Sequence, residues 1–426
     1  MKKMLKKIFL IGLATVTIMN LSACGGDKSS SSSDVPTLKL WHIYGNDTDP
    51  NKEVMDQVTK EAEKKFNVKI KVDTAENESY KTKIKAAIAA NETPDIFYTW
   101  GNGFIKPFVE AEKILPLDEY LTEEYKSHLE PSTLTGFQFD EKTYALTTDV
   151  SVACLFCNSE LFETNGLEIP TTWEDFVAVC KAFKEKGITP LTVGGKETWT
   201  IAMYHDLLAL RNVGTDGVKA ATSKQTDFSN TGFLKAAEQL SELVNINAFP
   251  DGSAGISREE SEIPFLEGET PMYLNGSWTA TRVYKDSSKV KDKIVVVPFP
   301  TVDESKSTSK DFTGGPDTAF AVSSSTKYPD LAAQVAQYIA YESSVGKYKI
   351  GSTLLPYSNV EIDDSNINPL LKEIYNLTKD AKSYTIWWDN LMEGKDSTIY
   401  LNKLQELFTG NITPEQYISE LNKLNN

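Results

Sequence analysis

The chain has 426 residues, 40% hydrophobic and 24% charged, with a formal net charge of −16 from 60 acidic and 44 basic residues. A chain of this length holds two or more domains, each able to bury a core. The acidic balance excludes nucleic-acid binding, which needs a basic footprint.

The chain opens on Lys2, Lys3, Lys6 and Lys7, followed by an apolar run from Ile8 to Met19. That run is too short to span a bilayer comfortably, so a signal peptide over residues 1–23 fits better than a membrane helix. It ends in Leu21-Ser22-Ala23-Cys24-Gly25-Gly26. This resembles the bacterial lipobox, in which small residues admit the signal peptidase and the cysteine sulfur accepts a diacylglyceryl group. The alternative is an ordinary small-residue cleavage site with an incidental cysteine. The expectation is a lipidated N-terminus at Cys24. A Gly- and Ser-rich tether over residues 24–35, unable to bury apolar surface, then holds the body at the outer face of the bacterial cell membrane.

From Thr37 onward the apolar pattern alternates between two periods. Leu38 to Tyr44 reads as a strand, and a helix with Met55, Val58, Ala62 and Phe66 on one face follows. Val68 to Val72 is a second strand, Tyr80 to Ala90 an Ala-rich helix, and Asp95 to Tyr98 a third strand. This order predicts a parallel sheet with helices on both faces, which binds ligands at the carboxyl ends of its strands. The polar loops after those strands are Gly45 to Pro50, Glu76 to Ser79, which also suits a helix cap, and Thr99 to Gly103 around Trp100. A second α/β set follows. Val150 to Cys157 reads as a strand, Thr171 to Asp175 as the start of a helix with a Thr cap and acidic first-turn residues, and Pro190 to Val193 as another strand. Helices around Tyr204 to Arg211 and Gly232 to Val244 come next, then strands at Ile294 to Pro298 and Thr318 to Val322.

Cys154 and Cys157 have C-x-x-C spacing but sit in a strand, where residues three apart point to opposite faces and cannot easily share a metal or a redox site. They read, like Cys180, as buried free thiols. No His cluster at metal spacing, Gly-rich phosphate loop or nucleophile motif stands out, so no cofactor, metal or catalytic residue is expected.

Several segments, in order, resemble the family-1 extracellular solute-binding proteins of ABC transporters, the group that includes maltose-binding protein. They are Thr93-Pro94-Asp95-Ile96, then Leu155 to Phe162 followed by Pro170 to Phe176. Phe265 to Met272 leading into Asn275-Gly276-Ser277-Trp278, and Val297 to Pro300 followed by Gly314-Gly315, complete the set. Cys157 stands where the family usually has Tyr, and the segment around Tyr144 to Thr148 lacks a common proline. The resemblance implies a two-lobed α/β periplasmic-binding-protein-like fold of type II, with a ligand cleft between lobes joined by a hinge. Its crossings fall near Asp149 and Phe312. It places residues 36–148 and 312–355 in the N-terminal lobe, and 149–311 and 356–426 in the C-terminal lobe.

The implied function is capture, as a monomer, of a sugar or short oligosaccharide for delivery to ABC permease subunits. A sugar presents hydroxyls at its rim and C–H bonds on its faces, so its site combines aromatic platforms with planar polar groups. Trp278 matches the family's cleft tryptophan. Trp387 and Trp388 lie in a segment that, by resemblance, returns to the cleft mouth. Adjacent aromatics on a helix diverge by about 100°, so one of them belongs to the core and the sequence leaves open which. Trp100 and Trp199 follow strands and divide evenly between site and packing. Trp41 reads as core, and His42, on the opposite side of that strand, as able to reach the cleft. Asn46, Glu78, Asp149 and Asp317 are the polar candidates, each at a strand end or a crossing, with a helix cap or solvated surface acid as the alternative. Competing readings are the same scaffold for an amine, peptide or osmolyte, since quaternary amines also favour Trp cages, and a surface glycoside hydrolase.

Overall fold

A computed structural model describes residues 35–425 except 364 and 366. The signal peptide, Cys24 and the tether up to residue 34 lie outside the described residues.

The expected alternation is present. β1 (Thr37–His42), α1 (Pro50–Phe66), β2 (Lys69–Thr74), α2 (Asn77–Ala89) and β3 (Ile96–Trp100) follow one another. β1 pairs in parallel with both β2 and β3. α1 starts where the Asp49 carboxylate accepts the Asn51 amide at 2.9 Å and Pro50 presets the first-turn φ. It stops at Asn67, in the left-handed region at φ 47°. Met55, Val58 and Ala62 are buried, while Phe66 is half-buried. α2 begins earlier than its apolar pattern because Glu76 caps it, accepting the Glu78 and Ser79 amides.

Later strands are β4 (Ala145–Asn158), β5 (Met272–Gly276), β6 (Ile294–Val297), β7 (Asp311–Val322) and β8 (Ser383–Thr385). The eight form one sheet of order β2-β1-β3-β7-β4-β5, with β8 beside β7 and β6 beside β4. β7 runs antiparallel to both β3 and β4. The strand expected at Pro190 to Val193 is instead a single bridge from Leu191 to Met272. Proline has no amide to donate, and the Thr192 hydroxyl is engaged by the Ser261 carbonyl at 2.6 Å.

The helices that position the site are α3 (Trp173–Glu185), α4 (Trp199–Val213), α5 (Thr231–Asn245), α6 (Arg258–Leu266), α7 (Thr279–Val283), α8 (Pro329–Lys349) and α9 (Trp388–Leu391). α3 is capped as its sequence predicts, with the Thr172 hydroxyl accepting the Asp175 amide at 3.2 Å.

Three hydrophobic cores share this framework. One gathers β1, α1, α2, β3 and α8, with Leu40, Met55, Ile84, Phe97 and Ile339 at its centre. A second gathers α3, α4, α5 and β5, with Phe176, Leu207, Leu240, Leu274 and Trp388. The third, around Phe156, Phe265, Ile294 and Phe312, lies against the other face of β4. β4 and β7 run between them: Ala145 and Leu146 belong to the first core, and Cys157 and Cys154 to the second and third. The two cysteines thus point to opposite faces, and with Cys180 all three are free and buried. Burial pushes the Cys154 thiol up to about 12.

Where β4 and β7 pass from one core to the next, both are irregular. The β4 register shifts on either side of Asp149. On β7, paired with Val152 and Ser151, Gly314 and Gly315 take φ of 127° and 128°, and a Cβ on Gly314 would stand 2.2 Å from the Ser151 carbonyl oxygen. Only glycine suits such a close approach.

Candidate functional site

A cavity of about 500 Å³ opens at the carboxyl ends of β1, β2 and β3, within the ~300–1,000 Å³ range of small-molecule sites. The loops after these strands supply Asn46 and Glu76, and the first turns of α1 and α2 supply Asn51 and Asn77. Facing them are residues of α4, α6, α7 and α9, and β4 and β7 contribute Asp149, Ser151, Asp317 and Thr318.

Tryptophans line it. Trp278 packs between Trp199 and Trp387, with ring centroids 6.1 and 6.3 Å away and planes inclined by 68° and 59°. The ring lies over the end of β5 because Gly276 leaves room: a Cβ there would stand 2.2–2.4 Å from three of its atoms. Trp100 closes the other side, packed edge-on to Tyr98 at 5.3 Å with the Lys81 ammonium 4.9 Å from its ring centre.

Carboxylates occupy the floor. Asp317 is buried and accepts the Asn390 amide at 2.5 Å, leaving its Oδ1 without a partner. Burial and the neighbouring Asp389 carboxylate push its pKa well above the usual carboxylate range. Asp389 in turn accepts Lys81 at 3.1 Å. Asp206 accepts the Trp388 amide at 3.0 Å and the Tyr400 hydroxyl at 2.5 Å, and burial raises its pKa.

Asp149 meets Lys347 of α8, whose ammonium is 1% exposed and lies 3.1 Å from Oδ2; Thr148 and Thr318 hydroxyls donate to the same oxygen at 2.7 and 2.8 Å. Lys347 also donates to the Tyr44 hydroxyl at 2.8 Å.

On the opposite wall, Arg258 and Arg282 share the buried carboxylate of Glu262, at 2.8 and 2.7 Å. Among the described residues, four buried oxygens around the cavity have no partner, on Asn51, Asn77, Asp317 and Asn390, against one N–H, on Trp199. Such a lining suits a ligand rich in hydrogen-bond donors with apolar faces.

Of the residues predicted from sequence, the cavity brings together Trp278, Trp387, Trp100, Trp199, Asn46, Asp149 and Asp317. Three lie elsewhere. Trp388 is fully buried in the second core, packed against His205 and Phe233. Glu78 sits in the first turn of α2, 3.4 Å from Lys81, while its neighbours Glu76 and Asn77 line the cavity. His42 falls on the core side of β1 with Leu38 and Leu40, 1% exposed, its Nδ1 accepting the Tyr44 amide at 3.2 Å. Trp41, expected in the core, packs against it only half-buried, on the other side of the strand beneath the Lys83 ammonium at 4.3 Å. The pattern of the strand allowed either face inward, and the aliphatic pair at 38 and 40 decided it.

The sequence reading missed Lys81, Arg258, Arg282 and Lys347, which no motif singles out. A signal for Lys347 existed: it continues the buried face of α8 through Ala336, Ala340 and Ser343.

Comparison with known proteins places these observations in a family. Residues 45–342 match the bacterial extracellular solute-binding protein family. The multiple sugar-binding protein of Streptococcus mutans is 26% identical over 385 residues, 87% of each chain. A structure from work on xylan utilization by the thermophilic bacterium Caldanaerobius polysaccharolyticus is 36% identical with a TM-score of 0.88, covering 92% of this chain and all of that one. A chitin oligosaccharide binding protein is 25% identical with a TM-score of 0.84, covering 92% and 98%.

Proposed function

Since the chain belongs to the bacterial extracellular solute-binding protein family, we propose that it captures a sugar or short oligosaccharide in the tryptophan-lined cavity and hands it to the permease of an ABC importer. The carrying observation is the set of four tryptophans, Trp100, Trp199, Trp278 and Trp387, on one cavity. Indole faces match the C–H faces of pyranose rings, and the unpaired oxygens of Asn51, Asn77, Asp317 and Asn390 match their hydroxyls. The sugar-named relatives support the reading, and the xylan-linked structure makes xylo-oligosaccharides the first ligands to try.

The capturing body has two lobes, 36–148 with 312–355 and 149–311 with 356–426. They hinge where β4 and β7 are irregular, at Asp149 and at Gly314-Gly315. Closure around ligand forms the surface the permease recognises. A diacylglyceryl group on Cys24 holds the protein at the membrane, where released sugar passes.

Isothermal titration with xylo-, chito- and malto-oligosaccharides, alongside polyamines and betaines, tests the cargo. Saturable binding of at least one oligosaccharide is expected. Binding of an amine with no response to any sugar would turn the assignment to the amine reading, for which the surplus of cavity carboxylates is the favouring observation. The anchor is tested by radiolabelled palmitate incorporation, which Cys24→Ser abolishes.

A further inference from the structure

On the reading that the cavity takes sugars, we propose that Glu262 sets its charge specificity, so that neutral sugars bind and sugars bearing a carboxylate, the uronic acids, are rejected. Three cations line the cavity, Lys81, Arg258 and Arg282. An unpaired arginine would be the natural anchor for a uronate, because the guanidinium fork matches a carboxylate bidentately. Here each cation already has an internal partner. Glu262, 2% exposed and behind the wall, accepts Arg258 through Oε1 at 2.8 Å and Arg282 through Oε2 at 2.7 Å. The Tyr273 hydroxyl donates to the same carboxylate at 3.3 Å, fixing its plane. Glu259 takes a second arm of Arg258, and Asp389 and Glu78 hold Lys81.

With the cations matched, the remaining carboxylates decide the sign of the field. Asp49, Glu76 and Glu197 line the same cavity, and among the described residues none has an ion-pair partner there. A ligand carboxylate would enter a negative, partly desolvated space, where like charges repel more strongly than in water. A neutral hydroxyl meets no such penalty. Each guanidinium has five N–H groups, so the arms bound by carboxylates leave others to donate to ring and hydroxyl oxygens. Glu262 is therefore a positioning residue: it aims two donors at the ligand and cancels the charge that would attract an acid.

The test is titration calorimetry at low salt with xylotriose and with xylotriose carrying one glucuronic acid branch. The native protein is expected to prefer the neutral sugar by about tenfold or more, the factor that ~1.4 kcal/mol of repulsion gives. In Glu262→Gln the cavity regains a positive charge and the preference narrows or reverses; a residue with only a structural role would weaken both sugars alike and leave the ratio unchanged. Glu259→Gln, at a half-exposed carboxylate that pairs with Arg258, must move the ratio in the same direction and covers the case in which the buried substitution prevents folding. Equal affinity of the native protein for both sugars, or an unchanged ratio in the variants, overturns the inference. Failure of xylotriose and of every chito- and malto-oligosaccharide to bind the native protein overturns the sugar reading itself.

Discussion

At Trp278 a missing side chain matters as much as the one present. Gly276→Ala places a methyl group inside the space of the indole. The ring must swing off β5, and ligand affinity is expected to fall about tenfold in calorimetry, approaching the loss in Trp278→Ala, about 2 kcal/mol for a central aromatic anchor. His42 makes a separate prediction. Burial first, and the Lys347 charge second, lower its pKa from 6.5 to about 4. The unfolded chain therefore takes up a proton that the folded one refuses. Stability from this group is intact above pH ~6.5, falls as pH drops toward 4, and the loss reaches about 3 kcal/mol below that. His42→Asn, which keeps an acceptor for the Tyr44 amide, should flatten this part of the denaturation midpoint against pH relative to the native protein. Trp278 was legible because its motif fixes the glycine before it. His42 was not, because strand alternation gives two faces without saying which one packs, and nothing in the sequence brings Glu262 and Arg282 together before folding does.

Among the elements, β4 and β7 carry the most constraint per residue. The Lys347 ammonium ties α8 to both strands through Asp149, Thr148 and Thr318. Lys347→Met strands the Asp149 carboxylate in a buried site, an expected loss of about 3–5 kcal/mol in urea unfolding. Adding Asp149→Asn to it should recover much of that loss, since the orphaned charge, not the lost contact, dominates. Gly314→Ala and Gly315→Ala share a strained φ, but the first also forces a Cβ against the Ser151 carbonyl, so it should destabilise more than the second, whose nearest neighbour is the flexible end of Ile386. The parallel β1-β2-β3 set was readable from period alone. The length of β4 was only half readable: its apolar half from Val150 stands out, while the polar Thr147, Thr148 and Asp149 break the pattern where the register shifts.

For the whole molecule, the proposed closure has contacts ready to read. Lys81 reaches Asp389, Lys106 pairs with Glu393, and the Lys285 ammonium approaches the Thr48 carbonyl at 3.5 Å, each joining distant parts of the chain. Saturating oligosaccharide should reduce the radius of gyration in small-angle X-ray scattering, and Asp389→Asn should weaken binding while leaving the ligand-free radius at or above the native value. An unchanged radius on binding would sink the hinge. The buried thiols carry a practical consequence. Cys154, Cys157 and Cys180 are sealed from reagents in water, so among the described residues a cysteine engineered in place of the exposed Lys285 would be the sole reactive handle. A dye attached there would sit beside the rim and change its emission as sugar is taken up, turning the protein into an optical gauge of its own cargo.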